Sequence, residues 1–148
     1  AIMGKGIGGG KASRATFLDA LPALKRLIHE VKSKAVSGSL RGLDGRRLYV
    51  RGLHSALNTL LQGAGAAIMK VALVLLDTSL QGEGLVRGVD YEFVVNSHDE
   101  WQIETRPSVA QFVGEQACTA MAKSGTLLAF LCPISGTFKT GNNWAETH

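Results

Sequence analysis

The chain has 148 residues, 45% of them hydrophobic, and a formal net charge of +4. That is room for one core-forming domain, and no segment has the composition of disorder. Two cysteines, Cys118 and Cys132, make no disulfide framework and no metal spacing, so a reduced, intracellular setting is expected.

The N-terminus lacks the pattern of a signal peptide. The longest apolar run, residues 63–76, is interrupted by Lys70 and ends at Asp77. It reads as too short and too charged to span a bilayer, so no membrane partner is expected. Charge is placed unevenly: residues 1–53 hold eleven Lys/Arg and three Asp/Glu, or +8, and residues 54–148 hold five and nine, or −4. A basic segment is most often a solvated face, but it is also the footprint of a phosphate-binding surface.

The stretch "MGKGIGGGKAS" (3–13) is basic and rich in glycine, each costing ~1 kcal/mol in a helix relative to alanine. No strand precedes it, so it does not make a P-loop and is expected to be a flexible connector. A helix is predicted over 16–36, where Leu21, Leu24, Leu27, Ile28 and Val31 recur at helical spacing, and Pro22 marks a start there. Asp44-Gly45 between "SL" and "RRLYV" signals a hairpin turn. A long helix is predicted over 54–80, with small residues Gly63 to Ala67 that allow close backbone approach. A loop, "QGEG", leads to a hairpin over 91–104 whose tip is His98-Asp99-Glu100. The next helix, 108–125, has Ser108 as its expected N-cap and Gly125 as its expected C-cap. Residues 126–138 read as a buried strand and a turn, followed by the tail "KTGNNWAETH".

Two constellations carry chemistry. His54, Asn58 and Gln62 stand at i, i+4 and i+8, which at ~100° per residue is one face of a helix. An exposed face normally carries Lys and Glu. Uncharged amides and an imidazole can instead bond to base edges, including the N3 and O2 acceptors of the minor groove. Asp99 and Glu100 form an acid pair after a strand, and such a carboxylate can hold Mg²⁺. A two-metal centre needs a second aspartate from another strand, and Asp77 and Asp90 are the weak candidates within this chain.

The run "GLDGRRLYVRGLHSALNTLLQGAGAAIMK" (42–70) resembles the segment leading into the palm of family A DNA polymerases, the DNA polymerase I family. "HDEWQIE" (98–104) is similar to that family's motif C, "TGNNWAETH" to the C-terminus of its phage branch, and "GGGKASRATFLDALPALKRL" (8–27) to the last helices of its fingers. The resemblance implies that Asp99 holds catalytic metals with Glu100 beside it, and that His98 lies near the primer terminus. It places His54, Asn58 and Gln62 on a helix reading the minor groove of the nascent duplex, with His54 where many bacterial members carry arginine. Arg46 and Arg47 match a basic pair that touches backbone phosphate.

Departures from the pattern matter as much. No D-Y-S-x-x-E-x-R-like motif A and no R-x-x-x-K…Y-G motif B occurs, and Ser97 replaces an apolar residue before the histidine. The resemblance therefore covers a C-terminal polymerase part: an excised piece, a split-gene product, or a relic with another use. The expected fold is α+β, with an antiparallel palm-type sheet formed by the 91–104 hairpin and the 126–138 strand and packed by helices. Residues 1–40 are expected as connector and end-of-fingers helix, and 41–148 as the palm segment. The expected activity is DNA-directed DNA synthesis by two-metal nucleotidyl transfer, in the cytoplasm of a bacterial or phage-infected cell. The expected partners are primer–template DNA, dNTP and an upstream polymerase portion with motifs A and B. Two alternatives stand beside it: a non-catalytic nucleic-acid-binding module, and a small metal-dependent hydrolase using His98, Asp99 and Glu100.

Overall fold

The structure is a computed structural model and describes residues 7–147, with side chains from Gly9 onward. Its elements are α1 (Ile7–Asp19), α2 (Pro22–Lys34), β1 (Ser39–Arg41), β2 (Arg47–Tyr49), α3 (Ala56–Gly82), β3 (Tyr91–Ser97), β4 (Glu100–Thr105), α4 (Ala110–Leu127) and α5 (Trp144–Thr147), with short 3₁₀ turns at Ala35–Ser37 and Pro107–Val109. This is an α+β chain. It divides into two compact units, residues 1–61 and 62–148, and the division falls inside α3.

In the first unit, the glycine-rich stretch corrects the expectation of a flexible connector. Residues 3–6 lie outside the described residues, but from Ile7 the backbone is helical through Gly8, Gly9 and Gly10. The helix formers that follow, Lys11 to Leu18, outweigh the glycine cost, and the Ser13 and Thr16 hydroxyls donate back to the carbonyls of Gly9 and Ala12. Pro22 occupies the first turn of α2, where its missing N–H is harmless. β1 and β2 pair antiparallel, Leu40 opposite Leu48. The connection is wider than a two-residue turn: Gly42 and Arg46 close it (N···O 2.8 Å), and Gly45 takes the left-handed conformation at φ +82°. Val31, Ala35, Leu40 and Ala56 form the core of this unit, with Leu48, Val50, Leu57 and Leu60 packed against it.

The second unit is built on the C-terminal part of α3, the β3–β4 hairpin and α4. Leu76, Leu80, Tyr91, Val113 and Ala120 are buried together, flanked by Phe93, Trp101 and Ile103 from the hairpin. Each fully buried aliphatic side chain here contributes on the order of 1.5–3 kcal/mol. The Tyr91 hydroxyl donates to Asp77 Oδ1 at 2.7 Å, tying β3 to α3. Burial, and then this bond, raise the Tyr91 phenol above its ordinary value. The Ser79 hydroxyl donates to Gln116 Oε1 at 2.9 Å and ties α3 to α4.

At 27 residues, α3 is longer than its apolar run suggested, and by length and composition alone it could cross a membrane. Ala56 near one end and Leu76 and Leu80 near the other are core residues.

Three further expectations are corrected. Residues 126–138 add no strand; among the described residues the strands form two two-stranded ladders, β1–β2 and β3–β4. Residues 126 and 127 finish α4, and the following chain runs along that helix: Ile134 sits over Gly125 and Phe138 over Gly114. A Cβ at these glycines would lie 2.7 Å from Ile134 Cγ1 and 2.2 Å from Phe138 Cδ2. Pro133, lacking an N–H, suits this irregular path. Ser108 lies in the 3₁₀ turn rather than capping α4, and Gly125 lies inside the helix as a packing notch.

Both long helices end in the same way. Leu85 and Gly84 donate to the carbonyls of Leu80 and Gln81, and Phe130 and Ala129 donate to those of Gly125 and Thr126. This pairing is the Schellman motif, with its left-handed residue at Gly84 (φ +83°) and at Ala129 (φ +53°). An L-residue in that conformation costs about 1–2 kcal/mol, partly offset by the greater entropy glycine loses on folding. Ala129→Gly is therefore expected to stabilise the chain by about 0.5–1 kcal/mol, read as a raised urea midpoint at unchanged m-value.

Candidate functional site

The hairpin tip follows from the pairing of its strands. Ser97 stands opposite Glu100, leaving His98 and Asp99 as the two-residue connection. His98 takes the left-handed conformation at φ +52°, which histidine tolerates better than most L-residues. Further down, a bulge between Phe93 and Val95 leaves Val94 without an opposite residue. Phe93, Trp101 and Ile103 hold the hairpin on the core, so its tip is an edge presented from a packed base.

His98 and Asp99 are both exposed, and Glu100 is half-buried. Among the described residues no hydrogen bond or ion pair engages the Asp99 carboxylate. Glu100 Oε1 accepts a bond from Gln102 Nε2. The two other acids weighed from the sequence are committed elsewhere. Asp77 accepts from Tyr91 and from Gln81 Nε2 (2.9 Å), while Asp90 accepts from Val86 N (2.8 Å) and pairs with Arg106 (3.1 Å). Among the described residues no three His, Cys, Asp or Glu side chains come together to hold a metal ion. Asp99 thus fits as one ligand of a hard cation, and the described residues do not complete a centre.

Asn58 and Gln62 lie four residues apart in α3 and are exposed. His54 corrects the expectation of a helical position: it is exposed in the turn before α3, where Ser55 N and Oγ both bond to Gly52 O. Its ring folds back over Gly52, where a Cβ would lie 2.9 Å from His54 Cε1. Each amide is thus carried on a helical backbone, and the imidazole is placed by the turn.

Arg46 and Arg47 are exposed on the first hairpin. Arg46 pairs with Asp44 at 2.5 Å, an exposed bridge of modest worth. Arg47 Nε donates to Ser39 Oγ at 3.0 Å, and its guanidinium lies 5.4 Å from the centroid of the Tyr49 ring. Not anticipated from the sequence are Tyr49, which is 76% exposed, and Arg51, also exposed. The signal was the alternation of "RRLYVR": Leu48 and Val50 pack inward, so Arg47, Tyr49 and Arg51 alternate with them.

Comparison with known proteins gives this arrangement its family. The profile of DNA polymerase family A matches residues 9–146. The chain is 36% identical to the DNA-directed DNA polymerase of Escherichia phage T7 and 34% identical to that of Escherichia phage Phieco32, over 99% of its own length in each case. It spans 23% and 24% of those proteins, about a quarter of the curated relatives it matches. DNA polymerase I of Pseudomonas aeruginosa is 34% identical over 77% of the chain. Among solved structures, the POL domain of Pol1 from M. smegmatis, in complex with DNA primer-template and dNTP, superposes with a TM-score of 0.69 at 20% identity. That match covers 82% of this chain and 23% of that one. The chain belongs to DNA polymerase family A.

Proposed function

We propose that this chain supplies the motif C part of a DNA-directed DNA polymerase, with residues 1–40 as the end of the fingers and 41–148 as the palm segment. The observation that carries the proposal is the exposed Asp99 carboxylate, unengaged among the described residues, at the tip of a hairpin whose base is packed on the core. A carboxylate so held can ligate Mg²⁺ without first breaking a bond, and a rigid edge keeps it in place. When bound, two such cations would stabilise the attacking and leaving oxygens of nucleotidyl transfer from dNTP to a primer hydroxyl. Glu100 adds negative charge beside Asp99, and His98 at the turn faces the primer terminus. Asn58 and Gln62 bond to minor-groove acceptors of the nascent duplex with His54 next to them, while Arg46 and Arg47 contact backbone phosphate. The second aspartate lies on a polypeptide segment with motifs A and B.

Primer extension tests this directly. The purified 148-residue chain should give no templated synthesis with Mg²⁺. Adding a polypeptide that carries motifs A and B should restore extension of a primed template. Robust synthesis by the 148 residues alone would overturn the proposal.

The minor-groove role has its own test. In the active assembly, Gln62→Ala should weaken primer–template binding by roughly 1–3 kcal/mol, since it removes a bond to a base edge. A gel-shift titration showing unchanged affinity would remove Gln62 from the interface.

A further inference from the structure

Alternation along β4 sorts its side chains. Trp101 and Ile103 pack on the core, so Glu100 and Gln102 share the opposite face, two residues apart. Gln102 is half-buried there and makes two side-chain bonds of opposite sense. Its Nε2 donates to Glu100 Oε1, and its Oε1 accepts from Thr147 Oγ1 at 3.2 Å. The single hydroxyl proton of Thr147 is shared between Gln102 Oε1 and the Trp144 carbonyl (3.1 Å), so this leg is the weaker one.

The far end of this chain of bonds is itself fixed. Thr147 closes α5, whose start is held by a reciprocal cap. Asn143 Oδ1 accepts from Glu146 N at 3.2 Å, while the Glu146 carboxylate accepts from Asn142 N at 2.7 Å and from Asn143 Nδ2 at 2.8 Å. Upstream, Phe138 over Gly114 and Ile134 over Gly125 seat the same tail on α4. The tail is thus anchored at both ends of its path, and its terminal turn reaches Gln102, whose amide in turn bonds to Glu100, the residue next to Asp99.

We infer that Gln102 and Thr147 are positioning residues for Glu100: the C-terminal turn sets the Gln102 amide, and that amide sets the rotamer of the acid beside Asp99. The inference rests on the reading of Asp99 and Glu100 as the catalytic acid pair. A buried apolar contact would hold Gln102 equally well as a structural residue. The amide does something else, because its Oε1 accepts from the C-terminal turn while its Nε2 donates to the Glu100 carboxylate.

Gln102→Leu keeps the volume and removes both bonds. In the active assembly it should lower the extension rate at saturating DNA and dNTP about 10- to 100-fold and raise the Mg²⁺ concentration for half-maximal rate, with primer–template affinity unchanged. Thr147→Val should lower the rate about two- to tenfold, and Thr147→Ser, which keeps the hydroxyl, should restore it. A second readout needs no catalysis. In the 148-residue chain, carbon and nitrogen NMR should show the Glu100 carboxyl and Gln102 amide signals moving together in Thr147→Val and staying in place in Thr147→Ser. Asp99→Ala is run alongside. If it leaves extension intact, the catalytic reading falls and this inference with it. If Asp99→Ala abolishes extension while Gln102→Leu keeps the wild-type rate and Mg²⁺ dependence, or the Glu100 signal ignores Thr147→Val, the inference alone is overturned.

Discussion

Asp99→Ala is expected to lower primer extension by more than about a thousandfold in an assembly that contains this chain, with primer–template binding nearly unchanged. A divalent cation contributes several kcal/mol of charge stabilisation to the transition state, and each 1.36 kcal/mol is a factor of ten in rate. The separation of the two readouts follows from the site. Asp99 stands exposed at the hairpin tip with no hydrogen bond or ion pair among the described residues, so its removal deprives no neighbour of a partner. Duplex affinity is assigned to other elements: the amides of α3 and the basic residues before it. An exposed acid close to phosphate also repels it, so affinity should stay level or rise slightly. The check is rapid-quench extension together with a binding titration on the same preparation. A parallel loss of binding and extension would place Asp99 in the DNA interface. An unchanged rate would support the non-catalytic binding module, for which Asp99→Asn would be neutral or favourable.

Legibility in the sequence followed the range of the interactions that decide each feature. Local geometry was readable: Pro22 starts α2, Gly45 takes the left-handed position of the first hairpin, and Trp101 and Ile103 alternate inward on β4. The hairpin bearing Asp99 was readable too, because a period-two pattern on each side of a polar turn has few other solutions. Features set by contacts between distant residues were not. The apolar run 126–138 looked like a strand, yet its partners are notches at Gly114 and Gly125, and no local pattern says that a phenyl ring will cover a glycine. The Gln102–Thr147 bond joins residues 45 apart in sequence and was equally hidden. Gly8 to Gly10 failed for the opposite reason: a propensity of ~1 kcal/mol per residue is a weak guide when the rest of the helix favours continuation. His54 was misplaced by two residues at a helix start, where side-chain bonds such as Ser55 to Gly52 fix the boundary.

The site depends on a core that can be tested apart from any chemistry. Leu80 is fully buried and packs with Leu76, Tyr91, Val113 and Ala120, the cluster on which the β3–β4 hairpin rests. Leu80→Ala removes the side-chain atoms beyond Cβ and leaves a cavity that the rigid junction of α3, α4 and β3 fills only in part. The expected cost is about 2–5 kcal/mol, a large share of the roughly 5–15 kcal/mol that holds a domain together. At about 4 °C per kcal/mol for a chain near 150 residues, Tm should fall by roughly 8–20 °C. Leu80→Met, which nearly conserves volume, should cost less than about 1.5 kcal/mol. The contrast with Asp99→Ala is the informative part. A core variant should lower Tm sharply while the fraction still folded at low temperature keeps its catalytic competence, because the hairpin tip is several residues from the cavity. The tip variant should do the reverse, since an exposed carboxylate without partners among the described residues contributes little to stability. Thermal melts of the chain by circular dichroism, paired with extension assays of the active assembly well below the lowered Tm, separate the two. If Leu80→Ala left Tm within a degree or two of wild type, the buried cluster would not be the base that holds the hairpin in place.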